Sequence, residues 1–411
     1  MRRSPWLCLI ALLLASAAHA ADDRSITLVE TRPLETALGN PSLAATTPVW
    51  LDMIHSANSS LDLEEYYLSE RSGEALSPVL AAIGEAAHRG VHVRLLLDAN
   101  MHRTYPMPAD SLGKLTNVEL RIVDYRRLAG GVQHSKFFIV DGLEAFIGSQ
   151  NLDWRSLAHI HELGARVKVP AVAKSLEDVF ESDWQASDTS KTVPPADRAH
   201  TSWPLEFTQD GSSGQLWLAA SPRATTPASI PWDRDLLVAR LDAARHEIVA
   251  QTLTYGRSGY GFTDSTLHRA LVAAAGRGVH VKLLVSDWEL GGRGEADLKE
   301  LAGVPNVEVR ISRVAEWSGG YIPFARVEHC KFAVVDTTWL WLGTSNWEPS
   351  YFLSTRNVAL IVQHAGLASE ARKSFEADWN APTALPLGPD AKLMSRPHGE
   401  RAPAGERVYG E

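Results

Sequence analysis

The stretch "VQHSKFFIVD" (residues 132–141) returns, 195 residues later, as "VEHCKFAVVD" (residues 327–336). Each copy places a histidine two positions before a lysine and seven before an aspartate. The residues concerned are His134, Lys136 and Asp141 in the first copy and His329, Lys331 and Asp336 in the second. A single motif of this kind is weak evidence, but two copies with identical spacing indicate that one half of the chain duplicates the other.

Each motif is followed, 14 residues after its histidine, by a Gly-[Ser/Thr]-x-Asn element. These elements contribute Ser149 and Asn151 in the first half and Thr344 and Asn346 in the second. The fixed spacing makes the asparagines candidates for contacts to a phosphate. The two hydroxyl residues could equally donate to that phosphate or shape the turn, whereas Asp141 and Asp336 are predicted to be structural.

The duplication extends beyond the motifs. The segment "AAHRGVHVRLLLDAN" (86–100) matches "AAGRGVHVKLLVSDW" (274–288), and the halves close with "FESDW" (180–184) and "FEADW" (375–379). Strand and helix patterns follow one another as β-α-β-β-β within each half. The sequence therefore predicts an α/β fold of two similar α/β sandwich halves with mixed sheets. A pseudo-two-fold axis would relate the halves, and one active site would be shared at their interface.

Composition divides the chain further. We predict a signal peptide at 1–20, a first half at 21–190, a Ser/Pro-rich linker at 191–215, a second half at 216–387 and a mobile tail at 388–411. The signal consists of two arginines, an apolar run and an Ala-His-Ala cleavage site, which predicts export to the periplasm or the exterior. No later segment is long and apolar enough to span a membrane.

The mature chain would be acidic. It carries 38 Lys and Arg against 49 Asp and Glu, a formal charge of −11. This balance argues against tight, electrostatically driven binding to duplex nucleic acid. The sequence leaves the oligomeric state open.

The residue types in the duplicated motif suit phosphodiester cleavage. One imidazole attacks phosphorus and forms a phosphohistidine, while the second protonates the leaving oxygen. Two lysines and two asparagines stabilise the charged equatorial oxygens of the transition state. Nucleophile and acid must approach opposite sides of one phosphorus, so each half supplies one side of the site. We expect no metal and no cofactor, because the polar side chains already serve the phosphate.

The chain resembles the phospholipase D superfamily, whose HKD motif is the pattern quoted above, over nearly all of its mature length. The segment "GSQNLDWRSLAHIHELG" (148–164) is similar to the one that follows the first motif in family members. More narrowly, "GTSNWEPSYF" (343–352) resembles the branch of endolysosomal phospholipase-D-like 5′-exonucleases.

The resemblance implies roles for the two histidines. In the family, a glutamate eleven residues after the asparagine orients the catalytic histidine, and that position is Glu162 here. The equivalent position in the second half is Asn357, so we expect His329 to lack a charged orienter. The family usually assigns the nucleophile to the first motif. We therefore expect His134 to be the nucleophile and His329 the general acid.

Other residues near the motifs have simpler interpretations. His159 and His161 could ligate a metal, but no third ligand stands at a useful spacing. Cys330 is predicted to be a buried core thiol, since strand alternation turns it away from its neighbouring histidine. Trp154 and Trp347 could lie at the rim of the site or pack in the core.

The motif reads only the phosphate, so the substrate stays open between two classes. The longer loop "AEWSGGYIPFAR" (315–326) could form an apolar rim that contacts a membrane, and no long run of Lys or Arg marks a nucleic-acid track. We therefore favour a phospholipase D-type enzyme that hydrolyses or transfers phospholipid head groups. The alternative is an exonuclease acting on the 5′ end of single-stranded DNA or RNA. A catalytically silent binding module is the weakest interpretation, because all motif residues are intact.

Overall fold

The computed structural model describes residues 25–190 and 194–410, and the predicted signal peptide lies outside them. In the first half, ten strands and six helices are formed. The strands are β1 (Ile26–Thr31), β2 (Ala44–Ala45), β3 (Ser60–Glu65), β4 (Leu68–Ser69), β5 (His92–Asp98), β6 (Val118–Val123), β7 (Lys136–Val140), β8 (Glu144–Gly148), β9 (Leu152–Asp153) and β10 (Glu162–Val167). The helices are α1 (Thr46–Ser56), α2 (Ser77–His88), α3 (Ala99–Thr104), α4 (Met107–Leu112), α5 (Tyr125–Ala129) and α6 (Pro170–Ala186).

The second half repeats this pattern with local additions. Its strands are β11 (Leu205–Gln209), β12 (Ser212–Ser221), β13 (Glu247–Thr252), β14 (Ser258–Gly259), β15 (Phe262–Thr263), β16 (His280–Ser286), β17 (Val307–Ser312), β18 (Phe332–Val335), β19 (Trp339–Gly343), β20 (Asn357–Gln363) and β21 (Ala384–Leu387). Its α-helices are α7 (Asp233–Ala243), α8 (Thr266–Gly276), α9 (Glu295–Ala302), α10 (Pro349–Leu353) and α11 (Ala365–Trp379).

Each half is built on one mixed sheet. The first sheet has the order β2-β1-β10-β8-β7-β3-β5-β6, and the second has β11-β12-β20-β19-β18-β13-β16-β17-β21. In both, three consecutive strands run parallel (β3-β5-β6 and β13-β16-β17), and the motif strand pairs antiparallel to the first of them. The predicted α/β class with two similar mixed-sheet halves is confirmed.

Local sequence explains these elements. Helix α2 has Pro78 in its first turn and buries Val79, Ala82, Ile83 and Ala86, which lie on one face of a 3.6-residue period. The strands that follow such helices carry continuous apolar runs, because helices and the facing sheet cover both of their sides.

The two sheets share a central core. Inner-face residues such as Phe137 and Ile147 of the first sheet belong to the same cluster as Phe332 and Leu342 of the second. Helices α6 and α11 add their apolar faces to this layer, while α1 and α2 cover the outside of the first sheet. Burial of this continuous apolar surface fixes the two halves against each other.

The predicted linker is shorter in the structure. Residues 205–215 form a hairpin of β11 and the start of β12 at the edge of the second sheet, so regular structure begins before the predicted boundary at 216. Gly214 lies within the ladder opposite Phe207, and a Cβ there would come within 2.6 Å of the Phe207 ring. The glycine therefore serves close packing rather than a turn.

Residues after Leu387 form no further helix or strand among those described, but they cross from the second half to the first. Arg396 donates to Asp287 at 2.5 Å, and the Tyr409 N–H donates to the Tyr321 carbonyl at 2.8 Å. Arg71 of the first half donates to the Tyr409 carbonyl at 2.9 Å. The predicted mobility of residues 388–411 stays a prediction, and these are the contacts that movement would break.

Among residues 25–190 and 194–410, no helix has both the length and the apolar character needed to cross a bilayer.

Candidate active site

Each histidine motif is joined by its backbone to the opposite half. The His134 N–H donates to the Arg356 carbonyl at 3.0 Å, and the His329 N–H donates to the His161 carbonyl at 3.0 Å. Arg356 directly precedes β20 of the second half, and His161 directly precedes β10 of the first half. Each motif is therefore fixed at the start of a strand of the other half. Both histidines line one cleft, as the duplication predicts.

The motif histidines lie just ahead of the strands that were predicted to contain them. Strand β7 begins at Lys136, because its partner β3 ends with Glu65 opposite that lysine. Strand β18 begins at Phe332. The histidines therefore occupy the bridging segments between the halves, at the edge where the parallel strands end, which is where open α/β sheets place their sites.

The orienting partners are exchanged relative to the prediction. Glu162 Oε2 lies 2.7 Å from His329 Nδ1, whereas Asn357 Oδ1 lies 3.0 Å from His134 Nδ1. The expectation that Glu162 orients His134 and that His329 lacks a charged orienter is therefore wrong. Each orienter begins a strand of one half and reaches the histidine of the other, because the interface brings the opposite motif closer than the local one.

The environment of His134 defines its tautomer. The Asn357 amide donates to the Tyr351 carbonyl at 2.8 Å, so its oxygen faces His134 and must accept from Nδ1–H. Nε2 of His134 then carries the lone pair. Burial and the nearby charges of Lys136 and Lys331 lower the pKa of His134 well below its ordinary value, which keeps the ring neutral. Tyr66 and Tyr351 hold the ring from two sides, with centroids 4.8 and 5.0 Å away.

Glu162 and His329 form a pair that holds protons jointly. Burial raises the pKa of Glu162 to about 8, and burial with the lysine charges lowers the pKa of His329. Ser156 donates to Glu162 at 2.5 Å and fixes the carboxyl group. The pair is neutral overall either as a protonated Glu162 with a neutral His329 or as a carboxylate with an imidazolium. In both states one proton lies between Oε2 and Nδ1 and a second is on Nε2. His329 thus presents an N–H to the cleft.

The motif lysines are buried close together. Lys136 Nζ donates to the His134 carbonyl at 2.7 Å, and Lys331 Nζ donates to the His329 carbonyl at 2.6 Å. Burial and the charge of Lys331 lower the pKa of Lys136 well below its ordinary value, and burial lowers the pKa of Lys331 to about 8. Two cations in a low-dielectric site repel each other, and a bound phosphate would relieve that repulsion.

The asparagines present unpaired groups to the same cleft. Asn151 and Asn346 are 4% and 2% exposed, and their Oδ1 atoms accept no hydrogen bond from any residue in the described ranges. A buried amide oxygen without a donor is costly, so its retention at equivalent positions in both halves fits a functional role for these amides. Both line the cleft between the histidines.

The remaining predicted residues support the loops. Ser149 accepts from the Leu163 N–H at 3.0 Å, and Thr344 donates to Asn357 Oδ1 at 2.8 Å, which places both in the turn beneath the site. Asp141 and Asp336 follow the motif strands at φ values of 53° and 52°. Each accepts backbone N–H groups from the segment leading into the adjacent parallel strand, as at Ser59 and His246 (both 2.8 Å).

Aromatic rings line the cleft, which has a volume of about 420 Å³. The rings are those of Tyr66, Tyr67, Tyr105, Tyr260, Trp288, Phe324 and Tyr351. They come from separate segments of both halves, so the sequence analysis missed them. The pair Tyr66-Tyr67 carried a usable signal, because it directly follows the strand that pairs with the motif strand. Trp347, 1% exposed, packs in the core, and Trp154, 8% exposed, contacts the His159 ring edge to face.

His161 lies in a buried group of acids behind the cleft. Its Nδ1 is 2.8 Å from Glu328 Oε2, and its Nε2 is 3.2 Å from Glu30 Oε1. His161, Glu328 and Cys330 have potential metal-ligating atoms within 4.8 Å of one another. The 2.8 Å separation is that of a shared proton and is shorter than two ligands of one metal ion normally allow. The absence of a metal stays a prediction.

A sequence model of the family described as "Cardiolipin synthase, PLD-like domain" matches residues 50–184 and 237–379, which include both motifs. The chain belongs to the phospholipase D superfamily. Members of this superfamily act on phosphodiester bonds, and that general activity applies to a chain with both HKD motifs intact.

Two relatives of the superfamily cover most of the chain. The 5'-3' exonuclease PLD3 of Rattus norvegicus is 30% identical over 410 residues, spanning 89% of this chain and 81% of the relative. Phospholipase D Z of Dictyostelium discoideum is 29% identical over 389 residues, spanning 88% and 91%. The phosphatidylserine synthase of Haemophilus influenzae has the same fold, with a TM-score of 0.55 at 13% identity over 83% of this chain and 85% of that one.

Proposed function

We propose that the protein is a phosphodiesterase that works through a phosphohistidine and removes nucleotides from the 5′ end of single-stranded nucleic acid. The observation that carries the choice of substrate is the ring-lined cleft around the two HKD motifs. Bases of a single strand stack on such rings without regard to sequence. The similarity to relatives named as 5'-3' exonucleases supports the same choice.

The first step uses the exchanged orienters. His134 Nε2 attacks phosphorus, the N–P bond forms, and the P–O bond to the remainder of the strand breaks, so that the terminal nucleotide stays on His134. The proton on His329 Nε2 passes to the leaving oxygen, and Glu162 keeps the ring aligned. Lys136, Lys331 and the two asparagine amides stabilise the equatorial oxygens.

The second step reverses these roles. Water enters on the side that the leaving group vacated and attacks phosphorus, while His329 Nε2 accepts its proton. The N–P bond breaks and returns neutral His134. Protons balance over the cycle, and no group outside the chain and water is consumed.

The burial of apolar residues in the loop 315–326 supports a nucleic acid over a lipid. Within the loop 315–326, Tyr321 is 6% exposed and Ile322 and Ala325 are 2% and 3% exposed, the latter two packed into the core of the first half. Most of the loop's apolar residues therefore join the halves, and Phe324 is its contribution to the lining of the cleft. A phospholipid remains the second candidate for two reasons. The acids Glu348 and Glu400 line the cleft, where their negative charge would repel a polyanionic strand, and one relative is named a phospholipase D.

A paired assay separates these candidates. We expect the purified mature protein to release nucleotides from a single-stranded oligonucleotide with a free 5′ end, and to release little head group from phosphatidyl lipid micelles. Both assays would contain EDTA, which we expect to leave the rate unchanged because side chains serve the phosphate. Lipid turnover with an intact oligonucleotide would establish the phospholipase, and EDTA inhibition would contradict the metal-free mechanism.

Replacing Glu162 with glutamine is expected to lower kcat about 100-fold, within the range for general acid catalysis. In the wild type, the rate should fall as pH rises through about 8, because the Glu162–His329 pair then loses the proton carried on Nε2. Without the carboxylate, burial and the lysines hold the pKa of His329 low, so the basic limb should move to lower pH. Steady-state pH profiles of both proteins test this, and an unmoved basic limb would exclude Glu162 as the partner of the acid.

We also propose that residues 1–20 direct export, so that the enzyme meets its substrate outside the cytoplasm.

A further inference from the structure

A smaller cavity opens beside the catalytic cleft. It has a volume of about 160 Å³ and shares Tyr66, Tyr260 and Tyr351 with the cleft. Its other walls include Arg126 and the hydroxyl residues Ser350 and Thr355. We call this cavity the side pocket.

The polar groups of the side pocket are unpaired. Within residues 25–190 and 194–410, no acceptor contacts the exposed guanidinium of Arg126. Ser350 and Thr355 are each 4% exposed, and their hydroxyl groups make no hydrogen bond within the described part of the chain. By contrast, the neighbouring Ser354 hydroxyl donates to the Ser350 carbonyl at 3.0 Å. Two hydroxyl groups that line the pocket beside an exposed cation are groups that can donate to an anion.

The position of the pocket relates it to catalysis. Gly131 lines it three residues before His134, and Thr355 lines it two residues before Asn357, the partner of His134. A Cβ at Gly131 would lie 2.4 Å from the Ser354 carbonyl, so the pocket floor depends on close contact between the halves. An anion bound there would be adjacent to the scissile phosphate and would share ring walls with it.

We propose that the side pocket binds the second phosphate of the substrate strand, next to the one that is cleaved. This inference rests on the proposed nuclease function. Arg126 provides the charge, Ser350 and Thr355 donate hydrogen bonds, and the 74% exposed ring of Tyr260 supports the attached base. The site would favour chains with at least two phosphates over a single phosphodiester.

The test compares a thymidine dinucleotide, which has one phosphate, with the trinucleotide, which has two. The readout is the ratio of their kcat/KM values, which does not depend on the active fraction of a preparation. We expect Arg126→Ala to lower the trinucleotide-to-dinucleotide ratio about five- to tenfold, the size of one charged contact at a partly exposed site. Thr355→Val should lower it by a smaller factor.

Arg127→Ala is the matched control, because Arg127 lies on the same short helix, is exposed and does not line the pocket. We expect it to keep the wild-type ratio. The salt dependence of trinucleotide binding should also become shallower by about one counterion in Arg126→Ala alone.

The outcomes are distinguishable. Equal ratios in wild type, Arg126→Ala and Arg127→Ala, with both substrates cleaved, would overturn the side pocket and leave the nuclease intact. Cleavage of neither oligonucleotide, together with turnover of a phosphatidyl lipid, would overturn the proposed substrate and the pocket's role with it.

Discussion

Replacing His134 with alanine is expected to lower turnover of an oligonucleotide at least about 10⁴-fold, because the bond to phosphorus has no other nucleophile at that place. Its neutral ring, with Nδ1–H committed to Asn357 and the lone pair on Nε2, is already in the attacking form. The loss should persist for bis(p-nitrophenyl) phosphate, since a better leaving group does not replace the missing nucleophile. Steady-state kinetics with both substrates measures this.

His329→Ala is the matched variant. An acid is needed only when the leaving oxygen is basic, so we expect about a 10³-fold loss with the oligonucleotide and a much smaller loss with bis(p-nitrophenyl) phosphate. Mass spectrometry of quenched His329→Ala should find the nucleotidyl group on His134 with the oligonucleotide, or the p-nitrophenyl phosphoryl group with the activated ester. The reverse pattern, in which the activated ester rescues His134→Ala, would exchange the two roles.

The exchanged orienters show where local sequence reasoning stops. The spacing of Glu162 after Asn151 identifies a carboxylate that serves a catalytic histidine, and it does so in the structure. The spacing cannot say which histidine, because that depends on how the two sheets pack. The bridge between His161 and Glu328 brings the first half's Glu162 beside the second half's motif. In this duplicated fold, the orienting residue of each half therefore contacts the histidine of the other half.

The duplication and the motifs follow from the sequence because each is a pattern of fixed spacing within one half. The cleft rings do not, since Tyr66, Trp288 and Tyr351 are brought together only by the folded interface. The loop 315–326 illustrates the same limit. Its extra length predicts a loop that extends beyond the sheet. Its orientation depends on packing against the core of the first half, which Ile322 joins.

Behind the cleft, the two halves contain equivalent clusters of different composition. Arg356 precedes Asn357 as His161 precedes Glu162, and each cation faces the equivalent aspartate of its cluster. Arg356 contacts Asp183 at 2.6 Å and 3.0 Å, while His161 Nδ1 is 3.4 Å from Asp378.

Each cluster also contains further acids, and in each the pKa of one carboxyl group is raised. Burial and the charge of Asp183 raise the pKa of Glu64 well above its ordinary value, and burial raises the pKa of Asp378 to about 7. The raised pKa of one carboxyl group in each cluster favours its protonated form, while another carboxylate pairs with the cation. This arrangement lowers the negative charge buried in each cluster.

Replacing Arg356 with methionine is expected to lower the free energy of unfolding by about 3–5 kcal/mol, because it leaves Asp183 buried without its cation. The guanidinium also donates to the Ser221 carbonyl at 3.0 Å and to the Thr225 carbonyl at 2.8 Å, and these acceptors lose their donor. Urea unfolding at pH 7 measures the change. The exposed Arg127→Met substitution should stay within about 0.5 kcal/mol of wild type.

A double-mutant cycle isolates the ion pair from the lost backbone contacts. Asp183→Leu alone should also destabilise, since it leaves the buried guanidinium without its carboxylate. The combined Arg356→Met and Asp183→Leu protein should lose less than the sum of the single losses, by about 2 kcal/mol or more, because neither charge is then stranded. Additive losses would mean that the pair contributes nothing beyond its separate contacts. The arginine would then act mainly through its bonds to the Ser221 and Thr225 carbonyls. Because the Arg356 carbonyl accepts from the His134 N–H, kcat should then fall with the single Arg356→Met substitution even where the protein stays folded.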